Sequence, residues 1–109
     1  TGQIVEAVGP LLSVLVHHRD NKEVFNRPVD PVLLDIPDYF SIIKNPMDLG
    51  TIRRKLHDGG YSTLEQFAED VRLVFANAMK FNRPSHCVYK RASTLLQVFE
   101  HAFEKLKAK

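Results

Sequence analysis

Between two strongly helical patterns lies a stretch, residues 19–45, that follows neither a helix nor a strand period yet is too apolar to leave in water. It holds Val24, Phe25, Val29, Val32, Leu33, Leu34, Ile36, Tyr39, Phe40, Ile42 and Ile43, punctuated by Pro28, Pro31 and Pro37. Loops of this length in compact domains are uncommon, and are either disordered or functional. A disordered segment lacks this much apolar surface. The prolines restrict the unfolded chain and lower the entropy lost on ordering. The stretch is therefore expected to fold against a helical core, with Pro37 opening a single turn that carries Tyr39 and Phe40. An ordered apolar loop beside a helix junction is where a pocket is expected.

The flanking patterns specify that core. Ile4, Val8, Leu11, Leu12 and Leu15 recur at spacings of three and four, one apolar stripe on a helix. Gly9-Pro10 is expected to bend that helix or end it early. A short helix is expected after Asn45-Pro46-Met47-Asp48, with Asn45 as N-cap and Pro46 at the first helical position. Its apolar face is Leu49, Ile52 and Leu56, and Gly59-Gly60 ends it. Leu64, Phe67, Val71, Val74, Phe75 and Ala78 form the next stripe, opened by a capping box from Ser62 to Glu65. Val88, Ala92, Leu95, Phe99, Phe103 and Leu106 form the last, with Lys105, Lys107 and Lys109 at its C-terminal end. Four amphipathic helices without β alternation predict an all-α, antiparallel four-helix bundle with a long ordered loop between the first two helices.

The chain of 109 residues is expected to be a single domain over 1–109, read as one cut from a longer protein because both ends fall inside helical patterns. A net charge of +2 lacks the concentrated basic field of a phosphate binder. One cysteine forms no internal disulfide, and no apolar run approaches the ~20 residues of a membrane span. Phosphate loops and nucleophile elbows are missing. Adjacent His86 and Cys87 point in different directions, and the other histidines have no ligand spacing. No catalytic residue, metal or cofactor is expected. Arg53, Arg54 and Lys55 form a basic run whose ordinary reading is a solvated face, with nucleic-acid contact a secondary role.

Asn82, in "KFNRP", carries two readings. It caps a helix, since Asn tolerates the left-handed conformation and Pro84 follows, or its amide holds a neutral amide-like ligand. Tyr39 is a core aromatic or reaches a ligand through water. Val24, Phe25, Val29, Leu34, Ile36 and Val88 are structural singly, and as a group line an apolar slot.

The segments "NRPVDPVLLDIPDYFSIIKNPMDLGTIRRKL" and "FANAMKFNRP", in this order and spacing, resemble a bromodomain. The resemblance runs from about Ile4 to Leu106. It implies a left-handed four-helix bundle that reads acetylated lysine, on histone tails in the nucleus, as a monomeric and non-enzymatic module. By resemblance, Asn82 donates to the acetyl carbonyl and Tyr39 reaches the same oxygen through a water. Val29, Leu34 and Ile36 match the loop wall, Phe25 contacts the acetyl methyl, and Val88 sits at the gatekeeper position. Many members have Trp-Pro-Phe where this chain has Glu23-Val24-Phe25, and Tyr where it has Phe81. The reduced shelf leaves, as alternatives, a nucleic-acid-binding or protein-docking bundle with a degenerate pocket.

Overall fold

The computed structural model describes residues 2–108; Lys109, expected at the last helix end, lies outside them. Four long helices form a ring, with a one-turn helix inside the long loop. They are α1 (Gly2–His17), α2 (Tyr39–Ile42), α3 (Leu49–His57), α4 (Leu64–Phe81) and α5 (Cys87–Lys107). α1 packs on α3 and α5, and α4 closes the ring by packing on the same two helices. The four stripes meet in one core, where Val8, Leu15, Leu49, Ile52, Phe67, Val71, Phe75, Leu95, Phe99 and Phe103 are buried. Stacked Phe99 and Phe103 rings (5.3 Å) lie beneath the Arg72 guanidinium. Arg72 forks onto both carboxylate oxygens of Glu100 at 2.8 and 2.9 Å, joining α4 to α5.

Helix ends differ from expectation in four places. α1 runs through Pro10 without ending; Gly9 has no Cβ to crowd the proline ring. α3 starts three residues later than its proline suggests. Asp48 is its N-cap, accepting from Thr51 N at 2.9 Å and Thr51 Oγ1 at 2.6 Å. A carboxylate holding two donors outcompetes Asn45, whose carbonyl is instead taken by Asn77 Nδ2 at 2.8 Å. The capping box of α4 forms from Thr63 to Gln66 rather than from Ser62 to Glu65. Gln66 Oε1 accepts from both Ser62 N and Thr63 N, while Glu65 faces Arg72. Finally, Asn82 caps α4 in extended rather than left-handed backbone (φ −102°, ψ 149°). Its side-chain Nδ2 adds a second donor to Ala78 O, which already accepts the Asn82 backbone N–H. Gly59 does take the left-handed conformation after α3 (φ 74°).

The loop from 18 to 48 is pinned along its length. Fully buried Asn21 donates Nδ2 to Leu15 O (2.8 Å), Val16 O (3.3 Å) and Asn26 Oδ1 (2.8 Å), and accepts from Phe25 N (3.1 Å). Asn26 returns a bond to Val16 O at 3.2 Å. One pair of amides thus closes the end of α1 and sets the loop's departure. Lys22 and Glu23 sit in left-handed backbone (φ 47° and 61°), a conformation that costs non-glycine residues roughly 1 kcal/mol each. Farther on, Leu49 N donates to Phe25 O (2.8 Å) and Arg91 Nη1 to Asp20 O (3.2 Å). At Gly50 a Cβ would stand 2.4 Å from Asn26 O, so only glycine admits this approach.

Candidate functional site

Tyr39 of the one-turn α2 lies against Phe81, in the last turn of α4. Tyr39, at the start of α2, is buried, and its ring packs edge-on against Phe81 (5.0 Å) and Phe40 (5.5 Å). Asn82 follows Phe81 directly, so the Tyr39–Phe81 contact sets α2 beside the end of α4. Burial raises the Tyr39 phenol above its ordinary range, and at neutral pH it is a protonated donor, as any tyrosine is.

Asn82 is half-buried and held twice. Its backbone N–H and its side-chain Nδ2 both donate to Ala78 O, at 3.1 and 2.9 Å. That uses one of the two Nδ2 hydrogens. Among the described hydrogen bonds, the second Nδ2 hydrogen and Oδ1 have no partner. The two readings of Asn82 are therefore compatible: capping fixes the amide, and one donor and one acceptor remain for a ligand.

The apolar candidates separate by depth. Phe25 is buried, its ring edge-on to Phe75 of α4 at 5.2 Å. Val29, Ile36, Phe81 and Val88 are half-buried, and Val88 also packs against the core. Leu34 and Val24 are largely exposed, at 58% and 40%. Val29 and Tyr39 line a cleft of about 230 Å³ with Pro28, Phe40, Pro46, Met47, Asp48 and Thr51. Phe25, Leu34, Ile36, Phe81, Asn82, Val88 and Val24 are not among its lining residues. The cleft lies between the loop, α2 and the start of α3.

Sequence reasoning passed over the residues that hold the loop in place: Asn21, Asn26, Asn77 and Gly50. The sequence carries no signal for the first two, since Asn21 lies among Arg19, Asp20, Lys22 and Glu23 and Asn26 precedes Arg27. Pro46 and Met47, expected at a helix start, instead border the cleft. The basic run is exposed throughout, and within it Lys55 pairs with Asp70 at 3.2 Å and lies over the Tyr61 ring. No helix among the described residues is long and apolar enough to cross a membrane.

Comparison with known proteins places this geometry. The bromodomain family model matches residues 11–94. An ankyrin repeat, bromo and BTB domain-containing protein of Dictyostelium discoideum is 57% identical over 79 residues, 72% of this chain and 10% of the relative. Transcription factor GTE11 of Arabidopsis thaliana is 51% identical over 86 residues, covering 79% of this chain and 14% of the relative. Transcription factor GTE3, chloroplastic, of the same plant is 47% identical over 100 residues, 92% of this chain and 22% of the relative. The chain thus spans under a quarter of the length of these relatives. With its helical ring, its folded loop and a family match over most of its length, the chain belongs to the bromodomains, the four-helix bundles that bind acetylated lysine peptides.

Proposed function

We propose that this domain reads acetyl-lysine on histone tails in the nucleus, with Asn82 as the polar anchor and no catalytic step. The observation that carries the reading is the state of the Asn82 amide. One Nδ2 hydrogen is spent on Ala78 O, which fixes the group, and the other donor is uncommitted among the described bonds. Acetylation turns a lysine ammonium into a neutral amide. Its apolar stem and methyl then enter a slot that would strongly penalise the bare charge. The desolvated acetyl oxygen needs a donor there, and Asn82 supplies it directly. Tyr39, a protonated phenol at neutral pH, supplies a second through a bridging water. Val29, Leu34, Ile36, Phe81 and Val88 form the apolar walls, Phe25 the floor beneath the methyl, and Val24 the outer lip.

Discrimination comes chiefly from rejecting the charged lysine. Because one small group makes most of the contact, binding is expected in the micromolar to near-millimolar range. Asp20, Glu23, Asp30, Asp35 and Asp38 give the loop side an acidic character suited to a basic tail, and the isolated domain acts as a monomer. Support for a chromatin setting comes from relatives named as transcription factors. Calorimetric titration of acetylated and unmodified histone-tail peptides tests the proposal. Heat from the acetylated forms alone, little affected by salt, is the expected result. Equal binding of both forms with a steep salt dependence would instead mark a phosphate-type electrostatic binder. Silence from every acetylated peptide would mark a degenerate pocket.

A further inference from the structure

The crest of the long loop presents large apolar side chains to water on a closely hydrogen-bonded turn. Asp30 Oδ1 accepts from Val32 N and Leu33 N, both at 3.1 Å. Leu34 N donates to Asp30 O (3.0 Å), Asp35 N to Val32 O (3.2 Å) and Ile36 N to Pro31 O (2.8 Å). Val32 and Leu33 contribute only backbone to this arrangement. Their side chains are 89% and 79% exposed, and Leu34 beside them is 58% exposed. Nothing in the fold requires apolar residues at 32 and 33, since the turn is closed by Asp30 and main-chain bonds. Contiguous apolar exposure of a few hundred Å² is the scale at which a surface patch is functional.

We propose that Val32 and Leu33 form a ledge that takes an apolar side chain, leucine, isoleucine or phenylalanine, flanking the acetyl-lysine in the bound peptide. The inference rests on the acetyl-lysine reading above. Continuity supplies the occupant: Leu34 and Ile36, assigned to the slot wall, follow on the same turn, so a peptide with its acetyl-lysine in the slot passes beside the ledge. Area argues against a second copy of the chain. Three side chains offer a few hundred Å², well short of the ~800 Å² per partner of a stable complex. The exposed acids around the ledge, Asp30, Asp35 and Asp38, further favour a ligand whose remaining residues are basic or neutral.

The test uses a short basic acetyl-lysine peptide with serine at its neighbouring positions, each replaced by leucine in turn. Titrations are made into the domain and into the Val32→Ser/Leu33→Ser double variant. Leucine at one register is expected to tighten binding about five- to twenty-fold. The double variant should lose that gain, keep the affinity of the all-serine peptide and melt within a degree or two of the parent. A missing gain at every register, or a gain that persists in the variant, overturns the ledge while leaving the slot intact. Failure of all the acetylated peptides overturns both. Dimerisation in sedimentation that the double variant abolishes also overturns it, since the ledge would then serve a second copy.

Discussion

Replacing Asn21 by alanine should be among the most damaging changes to this fold, although the residue touches no proposed ligand. Asn21 is fully buried and uses both ends of its amide. Without it the Phe25 N–H is left buried with no acceptor, a loss worth about 1–3 kcal/mol. Asn26 Oδ1 loses its donor, and Leu15 O keeps only a long 3.4 Å bond from His18 N. Val16 O is partly protected, because Asn26 Nδ2 also reaches it. Together these losses should come to about 3 kcal/mol, against the ~5–15 kcal/mol that holds a typical domain. The variant should fold at 25 °C but melt roughly 10–20 °C lower. Urea denaturation gives the free energy, and exchange of the Phe25 amide reports the local loss. A change below about 1 kcal/mol with an unaltered denaturant slope would refute the role given to this amide.

Three further outcomes follow from the same contacts. Gly50→Ala should destabilise by about 1–3 kcal/mol although alanine favours helix, because its Cβ would meet Asn26 O; a higher melting temperature would contradict this. Glu100 is held below the usual carboxylate range, first by its hydrogen bonds from Arg72. Its contribution is therefore present above the unfolded carboxylate pKa and lost as pH falls through the folded value. Glu100→Gln should be less stable than the parent at pH 7 by under ~1 kcal/mol, as both partners are partly solvated, and the difference should begin to narrow only as pH falls below the ordinary Glu range of ~4.3. A gap that widens in acid would rule the pair out. Tyr39 and Tyr61 are both pushed upward, chiefly by burial. The stability of their neutral forms is fully present below the ordinary tyrosine pKa of ~10 and is lost only as pH rises from there through the raised folded values. Their absorbance change at alkaline pH should accompany loss of helical circular dichroism; a full phenolate signal from an intact fold would sink the assignment.

The helices were legible because their apolar stripes repeat at three and four and each helix packs that stripe inward. Their ends were less so. Asn45 and Asp48 are both good N-caps by type, and only the folded chain shows that Asn77 claims the Asn45 carbonyl. Ser62 and Thr63 are likewise interchangeable until Gln66 reaches back to both. Asn82 and Tyr39 stood out by their residue types beside the apolar loop, and the structure sets them on neighbouring elements through the Tyr39–Phe81 contact. The amides that shape the loop, Asn21 and Asn26, were silent because buried polar residues follow no period. Their significance lies in which carbonyls they reach, a tertiary property.

Asn82 as anchor is tested most directly by following its side-chain NH₂ resonances while acetyl-lysine peptide is added to the ¹⁵N-labelled domain. Of the two hydrogens, the one bound to Ala78 O should hold its position, and the other should move downfield in proportion to occupancy. An Asn82 amide that stays unmoved while peptide binds elsewhere, or a second hydrogen no more affected than the first, would contradict its role.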